Sequence, residues 1–449
     1  MCQKGKRHCI CLPLIVLIIT LICLCVGSYG DEEPNFRFQF DHFGHRPTTF
    51  APTFGVSHHN NPNSAAGGNL FNYYNTNQIW SSLARARALK PKVVNVDAFG
   101  AKADGGDDSQ AFKKAWKYAC SSSQGAVLVV PKKKIYHVKP IDFSGPCKSA
   151  LVFKVYGTIK ASVHHSDYKE RKWLYFDNVE NLRVEGGGSG TINGNGRTWC
   201  PARKRQHNVQ VGGVRIKNAQ QMHLTFRNCF NVKASNLLVK APGNSPNTDG
   251  IHVSGTQNII IQNSVIATGD DCISIVSGSK NVRATGITCG PGHGISIGSL
   301  GAKNSEAYVS NVIVDKATLS GTTNGVRIKT WQGGSGYAKN IKFRNIMMHN
   351  VSNPIIIDQN YCDQRKPCSK QVSAVQVSNV VYQNIRGTSA SDVALKLDCS
   401  QSFPCRGIYL QNVDLSVPQN QHNNNNIAEA SCSNVRLTYQ GNVSPPCST

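Results

Sequence analysis

A short pattern recurs along most of this chain and restricts the folds open to it: an asparagine followed by three largely apolar residues. It begins at Asn181, Asn236, Asn258, Asn281, Asn311, Asn340, Asn379, Asn412 and Asn434. From Asn236 onward the intervals range from 22 to 39 residues. Repeats of roughly 20 to 50 residues are typical of architectures in which each repeat stacks on the one before it.

The composition of these repeats favours strands over helices. Forty glycines but only four methionines are present, and short β-branched strands alternate with turns that contain Gly or Asn. A β-propeller would instead show blades of ~40 to 45 residues with a motif of their own, which this sequence lacks. We therefore predict an all-β protein, built as a single right-handed parallel β-helix (a solenoid).

One early segment has a helical pattern instead. Its apolar residues lie at helical spacing: Ala111, Phe112, Ala115, Trp116 and Ala119. Asp108 precedes them, at the position where an N-cap residue is expected. The exposed end of a solenoid needs a cover, so we predict a short N-terminal helix that caps the first coil.

The start of the chain has the composition of a secretory signal. A basic segment (residues 4–7) precedes an apolar run (residues 9–26) and a few small residues. We predict that residues 1–30 are a signal peptide cleaved near Gly30. The apolar run is long for a signal, so an uncleaved membrane anchor is the alternative.

Residues 31–90 form a compositionally distinct segment. It is rich in Asn, His, Phe, Pro and Gly and shows no hydrophobic period. This composition predicts a low-complexity extension or a propeptide. Regular patterning begins near Val93, so residues 91–449 are predicted to form the β-helix domain.

Charge and cysteine content narrow the class of partner. The formal net charge is +24, of which the first thirty residues contribute three, so the remainder carries +21. That excess favours a polyanion: nucleic acid, an anionic membrane or an acidic polysaccharide. Five of the 17 cysteines lie in the leader, and the even set of twelve that remains is typical of an exported protein. We therefore predict a secreted monomer that binds an acidic polysaccharide, with no nucleic-acid partner and no stable membrane association unless the leader is retained.

Most of these cysteines form close pairs in the sequence. Local bridges are expected for Cys272–Cys289, Cys362–Cys368, Cys399–Cys405 and Cys432–Cys447. No C-x-x-C metal pattern is present in the sequence. Glycosylation sequons at Asn350 and Asn442 are compatible with secretion.

A second periodicity brings acidic residues and a histidine together. Asp271 follows Asp249 by 22 positions, and His293 follows Asp271 by another 22. In a β-helix with 22-residue coils these residues would stack ~4.8 Å apart, the distance between neighbouring strands. The same interval relates three residues of a predicted interior ladder: Ile251, Ile273 and Ile295.

Short sequence blocks surround these positions. They are Asn247-Thr248-Asp249, Gly269-Asp270-Asp271, Gly292-His293-Gly294 and Arg327-Ile328-Lys329, with Tyr361 farther on. In order and spacing they resemble the signature blocks of the polygalacturonases, a family of secreted pectin-hydrolysing glycosidases, and above all its plant members. The similarity runs from about Val93 to the C-terminus. It implies a parallel β-helix enzyme of the cell wall that hydrolyses α-1,4-galacturonosyl linkages in de-esterified pectin.

The resemblance also implies a role for each member of the cluster. Asp270 would be the general acid, and Asp249 and Asp271 would hold the attacking water, so that the anomeric centre is inverted. His293 would tune the acid or hydrogen-bond to it. Glycoside hydrolysis needs one protonated and one ionised carboxyl group, and crowding raises the pKa of at least one of them. No metal and no other cofactor is expected.

Nearby residues suit a uronate substrate. Arg327 and Lys329 are two positions apart, so on a strand they share a face from which both can pair with a galacturonate carboxylate. Tyr361 is expected to line the sugar site, and Asn247 to touch it.

The adjacent acids raise a geometric difficulty. Successive side chains of a straight strand point to opposite faces. Asp270 and Asp271 can therefore share one site only if the chain bends there. Gly269 is the residue expected to permit the bend.

Two other functions remain open from the sequence. A pectate lyase uses a parallel β-helix on the same polymer but works by Ca²⁺-assisted proton abstraction. A catalytically silent pectin-binding wall protein is the second alternative. Three acids with a histidine and an Arg-x-Lys pair favour acid/base hydrolysis over both.

Overall fold

A computed structural model describes residues 90–168, 173–195, 206–364, 368–372, 374–418 and 427–448. The predicted signal peptide or anchor (residues 1–30) lies outside these residues, as does all but the last residue of the predicted extension (residues 31–90). Within the described part, no helix is both long enough and apolar enough to cross a membrane.

Strands make up most of the described chain, and we number them in chain order. The first fourteen are β1 (Lys92–Asn95), β2 (Ala126–Val130), β3 (Ile135–Val138), β4 (Ile141–Ser144), β5 (Leu151–Val155), β6 (Thr158–Ala161), β7 (Leu174–Asp177), β8 (Leu182–Glu185), β9 (Thr191–Asn193), β10 (Gln206–Gly212), β11 (Arg215–Lys217), β12 (Leu224–Arg227), β13 (Cys229–Ser235) and β14 (Leu238–Lys240). The later ones are β15 (Ile251–Ser254), β16 (Gln257–Ala267), β17 (Ile273–Ile275), β18 (Lys280–Cys289), β19 (Ile295–Leu300), β20 (Glu306–Ser320), β21 (Asn324–Trp331), β22 (Ser335–Val351), β23 (Asn353–Tyr361), β24 (Gln376–Ser389), β25 (Val393–Asp398), β26 (Cys405–Ser416), β27 (Glu429–Ser433) and β28 (Val435–Ser444). The helices are α1 (Ser109–Cys120) and the 3₁₀ turns Val96–Phe99, His165–Asp167 and Ala302–Asn304.

The strands stack coil upon coil in a right-handed parallel β-helix, as predicted. A large sheet of 18 strands includes both β1 and β28, a small sheet of eight begins later and is formed by β12, β15, β17, β19, β21, β23, β25 and β27, and β4 pairs with β7. The predicted interior ladder is confirmed, because Ile251 pairs with Ile273 and Ile273 with Ile295 in parallel register. All three are fully buried, so the alternation of each strand places one apolar row inside the coil.

The recurring asparagines form a ladder of their own. Each has a positive φ, and in every member after the first Nδ2 donates to Oδ1 of the asparagine one coil earlier at 2.8 to 3.3 Å. The members are Asn181, Asn208, Asn231, Asn258, Asn281, Asn311, Asn340 and Asn379. Asn suits this position because it tolerates positive φ and carries both a donor and an acceptor.

Not every asparagine of the sequence pattern belongs to that ladder. Asn412 is part of a second ladder, where it donates to Asn384, which donates to Asn345. Asn236 comes five residues after Asn231, and its neighbour Ser235 pairs with Gln262. Asn236 therefore lies outside the ladder that contains Asn231 and Asn258. The asparagines of the sequence pattern therefore do not all share one register position, because two places in the coils use the same residue type.

Helix α1 covers the first coil, as predicted, and buries the whole predicted apolar stripe. Trp116 packs on Phe143 with 4.9 Å between ring centroids. The predicted N-cap residue is confirmed by its position but not by its hydrogen bonds. Asp108 occupies the cap position, but its carboxylate accepts from the backbone N–H groups of Lys102 and His137 instead of the helix. It ties the helix entry to the neighbouring segments.

Disulfides close loops along the stack. The four predicted bridges, Cys272–Cys289, Cys362–Cys368, Cys399–Cys405 and Cys432–Cys447, are all present. A fifth joins Cys120 at the end of α1 to Cys147. It spans 27 residues and was not predicted, because the two cysteines are not close in the sequence.

Candidate active site

The predicted site residues come from successive coils at the small sheet. Asp249 lies two residues before β15, Asp270 and Asp271 lie three and two residues before β17, and His293 lies two residues before β19. The parallel register of β15, β17 and β19 brings these equivalent positions together. The 22-residue spacing therefore predicted their proximity correctly.

The chain bends where the two adjacent acids occur. Residues 269 and 270 form a bend, and β17 begins only at Ile273, so the alternation rule for straight strands does not apply to them. Gly269 is required there for space: a Cβ at this position would lie 2.1 Å from the carbonyl oxygen of Ser245. Gly292 makes a similar close approach, since a Cβ there would lie 2.6 Å from the carbonyl oxygen of Asp270. Both glycines let neighbouring coils pack tightly beside the acids.

Asp270 and His293 form a hydrogen-bonded pair. Nδ1 of His293 lies 2.9 Å from Oδ1 of Asp270, which also accepts from the backbone N–H of Asp271 at 2.8 Å. Burial works to raise the pKa of Asp270, but the hydrogen bond and charge of His293 outweigh it, and the pKa falls below its ordinary value. The same hydrogen bond raises the pKa of His293. The pair therefore tends to hold one proton between its two members.

Asp271 is buried and held by two cations. Its Oδ1 accepts from Nη2 of Arg327 at 3.0 Å and from the hydroxyl of Ser296 at 2.7 Å, and its Oδ2 accepts from Nζ of Lys329 at 3.2 Å. Burial raises the pKa of Asp271, while the charges of Lys329 and Arg327 oppose the rise. The Arg-x-Lys pair thus has a contact that the sequence did not indicate, because both side chains point to an acid 56 and 58 residues earlier.

Asp249 is positioned by hydroxyl and imidazole groups. Its Oδ2 accepts from the hydroxyl of Ser274 at 2.6 Å and lies 3.6 Å from Nδ1 of His252. Nδ1 of His252 is also 2.7 Å from the Ser274 hydroxyl. Asp249 and Asp271 therefore lie on adjacent coils, and each accepts a hydrogen bond from a serine of the next coil.

Three residues that position the acids, His252, Ser274 and Ser296, were not predicted from the sequence, whereas Arg327 was. His252, Ser274, Ser296 and Arg327 form one register row across β15, β17, β19 and β21. The signal was available: each stands one position after an isoleucine or valine of the interior ladder, so each side chain points to the outer face. Small polar residues at that position give no chemical signature by themselves.

Tyr361 and Asn247 lie at the margins of this cluster. The ring of Tyr361 packs edge-on against Trp331, and Nζ of Lys329 is 5.4 Å from its centroid. Burial raises the pKa of its hydroxyl, so the phenol stays protonated. Asn247 is exposed, with φ of 55°, two residues before Asp249. Tyr361 thus lies beside Lys329 of the cluster. Asn247 is close to the cluster in sequence, two residues before Asp249.

The cluster also has ligand atoms that could meet a metal ion. One atom each of Asp270, Asp271 and His293 lie within 4.8 Å of one another. However, both oxygens of Asp271 accept from cationic side chains, and Arg327 and Lys329 would repel a divalent ion at that place. The arrangement suits acid/base chemistry better than metal binding.

A solenoid of parallel coils whose small sheet carries three clustered carboxylates, one paired with histidine and one with two cations, defines a glycoside-cleaving class of protein. Its acids occupy unlike environments, as two-carboxylate catalysis requires: Asp270 is bonded to a histidine, and Asp271 is held by two cations. The sequence comparison agrees: the model of the glycosyl hydrolases family 28 matches residues 120–434, and the chain belongs to that family of glycoside hydrolases.

Relatives extend over most of the chain. Polygalacturonase QRT2 of Arabidopsis thaliana is 54% identical over 97% of this chain and 98% of its own length. A polygalacturonase of Malus domestica is 57% identical over 84% of both chains. These similarities support the family resemblance that the motifs indicated.

Solved structures share the fold. The endo-xylogalacturonan hydrolase of Aspergillus tubingensis superposes with a TM-score of 0.65 at 24% identity, over 78% of this chain and all (100%) of that one. The polygalacturonase of Erwinia carotovora gives 0.62 at 21% identity, over 79% and 98%. At these identities the likeness establishes the right-handed β-helix and nothing about the substrate.

Proposed function

We propose that this protein is a polygalacturonase that hydrolyses α-1,4-galacturonosyl linkages of de-esterified pectin with inversion, and that residues 91–449 form its catalytic domain. The observation that carries the proposal is the pair of unlike carboxylates on adjacent residues. Asp270 is bonded to His293, while Asp271 is buried against Arg327 and Lys329. Curated relatives named polygalacturonases at 54% and 57% identity support the substrate class.

In the proposed reaction Asp270 is the general acid. Its proton passes to the glycosidic oxygen as the bond from that oxygen to the anomeric carbon breaks. Water attacks the same carbon from the opposite face and gives its proton to the carboxylate of Asp271, assisted by Asp249. The product has inverted configuration, and the protons balance because Asp270 has lost one and the base has gained one.

The lowered pKa of Asp270 disfavours the protonated form that a general acid needs, and His293 supplies the missing proton. Because the pair shares one proton, a protonated His293 holds the proton that Asp270 passes on in the reaction. A bound uronate adds negative charge beside the pair, which favours the protonated state further. His293 is therefore a positioning and proton-holding residue for Asp270.

Arg327 and Lys329 have two tasks in this proposal. They oppose the rise that burial causes in the pKa of Asp271, which favours its ionised form, and they present positive charge to the galacturonate carboxylate. Arg327 directs Nε to Ser296 and Nη2 to Asp271, which leaves Nη1 without a hydrogen bond among the described residues. Tyr361 flanks Lys329 and offers its ring to the sugar, and Asn247 borders the site from the loop before β15.

The same proposal covers location and partners. We infer a secreted monomer of the cell wall that acts on acidic polysaccharide and binds neither nucleic acid nor, once its leader is cleaved, a membrane. The net charge of +24 supports attraction to a polyanion, and the five disulfides in the described part of the chain support an exported protein.

One digestion series tests the activity. Polygalacturonate and highly methyl-esterified pectin are incubated with the protein, with and without a chelator, and reducing ends, ultraviolet-absorbing products and the anomeric configuration of new ends are followed. We expect chelator-insensitive reducing ends of inverted configuration, formed mainly from polygalacturonate. Unsaturated, chelator-sensitive products would identify a lyase, and binding without products would identify a silent wall protein; either result would overturn the proposal.

A further inference from the structure

A pair of surface tyrosines lies on the large sheet, away from the strands of the small sheet that carry the acids. Tyr308 on β20 and Tyr337 on β22 are in direct register, with ring centroids 5.0 Å apart. Tyr308 is 42% exposed, and its hydroxyl donates to Glu306 at 3.1 Å. Tyr337 is half-buried. The exposed part of the pair offers an apolar ring face to a ligand.

Cations lie farther along the same strands and on the neighbouring β18, in two register rows. In the first row, Ser310 separates Lys280 on β18 from Lys339 on β22. In the second, Ile313 likewise separates Arg283 from Lys342. Two strand spacings of ~4.8 Å put the cations of each row roughly 9.6 Å apart at the backbone.

These cations are not neutralised by the acids around them. Nζ of Lys339 lies 4.0 Å from the centroid of Tyr337. Arg283 is 3.7 Å from Asp315, but Asp315 has a closer partner in Arg344 at 3.0 Å. Neither Lys280 nor Lys342 has an acid within ion-pair distance among the described residues, and both are exposed.

We propose that this region is a second, non-catalytic binding surface for acidic polysaccharide, distinct from the cluster around Asp271. We call it the tyrosine–lysine surface and define it by Lys280, Arg283, Tyr308, Tyr337, Lys339 and Lys342. The class of its ligand rests on the function proposed above, whereas the surface itself rests on the tyrosine pair and on the excess of cations beside it.

The chemistry of the surface matches a linear uronan. Such a polymer carries a carboxylate on each sugar, so a row of cations at regular spacing meets a row of anions without needing a pocket. The C–H faces of the sugars can lie on the tyrosine rings, while Arg283 can bind a carboxylate with two nitrogens. Binding here would hold the enzyme on its insoluble substrate between cleavage events.

Two double variants and a matched control test the surface in the full-length protein. Lys280→Gln/Lys342→Gln removes two exposed charges, and Tyr308→Ala/Tyr337→Ala removes the rings. The control, Lys113→Gln/Lys114→Gln, removes two charges that are equally exposed on α1. Retention on insoluble low-ester pectin is measured on ice at rising salt, with and without saturating trigalacturonate. Hydrolysis of trigalacturonate, which is short enough to occupy the catalytic cluster alone, is measured in the same preparations.

We expect the lysine variant to lose roughly threefold to tenfold in affinity for the matrix at low salt, even when trigalacturonate is present. The tyrosine variant should also lose retention at high salt, where charge attraction is screened. Hydrolysis of trigalacturonate should not change in either. Unaltered retention in both variants, or an equal loss in the control, would overturn the proposal. Failure of the wild-type protein to hydrolyse trigalacturonate would instead refute the proposed function, whatever the retention shows.

Discussion

Nδ1 of His293 lies 2.9 Å from Oδ1 of Asp270, although 23 residues separate the two in the chain. The contact joins two consecutive coils and shifts the pKa values of both side chains. The hydrogen bond raises the pKa of His293 above its ordinary 6.5, and the pKa of Asp270 falls below its ordinary 3.8 although burial opposes this. Between these two ordinary values the pair carries its full charge, His293 positive and Asp270 negative.

The stability of the protein should depend on pH through this pair. The lowered pKa of Asp270 stabilises the folded protein above pH 3.8, and this stability is lost as the pH falls through the pKa of the folded state. The raised pKa of His293 stabilises the folded protein below pH 6.5, and this stability is lost as the pH rises through the pKa of the folded state. The free energy of unfolding of wild-type protein should therefore exceed that of His293→Gln most between about pH 4 and 6.5. Denaturant titrations over pH check this. A difference that is constant from pH 3 to 8 would contradict it.

The same substitution should change the pH profile of catalysis. In the wild type the acid is loaded until the coupled pair loses its proton, so the alkaline limb of kcat follows the raised pKa of His293. In His293→Gln the proton rests on Asp270 alone, and the alkaline limb should move to lower pH. His349→Gln, at an exposed position on β22, is the control and should leave the profile in place. An unmoved limb in His293→Gln would exclude the proton-holding role.

Asp270→Asn tests the general acid directly. The amide keeps the size of the side chain, and its Oδ1 can still accept from the backbone N–H of Asp271, but it cannot protonate a leaving group. Hydrolysis should fall by roughly 10² to 10⁴, the usual contribution of general acid catalysis. Binding of oligogalacturonate should survive or improve, because one negative charge beside an anionic sugar is gone. Initial rates and equilibrium binding check the two halves.

The matched control for that substitution is Asp414→Asn, on the exposed face of β26. It should have no effect on turnover. The losses in Asp270→Asn and Asp271→Asn should also fail to add in the double variant, because the residues act as one unit. If Asp270→Asn kept full turnover and unfolded more easily, the pair would be structural, and the proposed mechanism would be wrong.

Periodicity predicted the fold and the proximity of the acids because a parallel coil turns sequence spacing directly into spatial register. Asp249, Asp271 and their serines lie where a 22-residue coil puts them. The interval predicts a row, however, and says nothing about which side chains within neighbouring rows bond to each other. The contacts of Arg327 and Lys329 with Asp271 cross two coils of unequal length, so no fixed interval indicated them.

The chemical type of a residue predicted its role in the site less well than its position in the coil. Ser274 and Ser296 have no motif, yet each donates to an acid of the cluster. Gly269 was expected to supply backbone freedom, but what it supplies is space against Ser245. Both cases depend on the packing of one coil on another, which only three-dimensional structure contains.

Lys329→Met tests whether the cations keep Asp271 ionised. The substitution removes one of two charges that face a buried carboxylate, so the pKa of Asp271 should rise further. As the base must be ionised, the acidic limb of the pH–rate profile should move to higher pH. Stability should fall by about 3 kcal/mol, the low end for breaking a buried pair, because Arg327 remains.

The control for this substitution is Lys114→Met, at an exposed position of α1, which should change neither stability nor the pH profile. Lys329→Arg should restore part of the stability and part of the acidic limb, because it returns the charge with a different shape. Loss of activity in Lys329→Met without movement of the acidic limb would mean that Lys329 serves only the substrate.

The disulfide between Cys272 and Cys289 should matter more for catalysis than for folding. Cys272 directly follows Asp271, and Cys289 ends β18 four residues before His293, so the bridge ties together the segments that carry both groups. A bridge typically contributes ~2 to 4 kcal/mol to stability. Cys272→Ser/Cys289→Ser should therefore lose more activity than Cys432→Ser/Cys447→Ser, which opens a loop of similar length (15 against 17 residues) at the far end of the stack. Thermal unfolding and kcat are measured for both double variants, at a temperature where each is fully folded. Equal losses of kcat in the two would mean that the bridge near Asp271 stabilises the coil without positioning the acids.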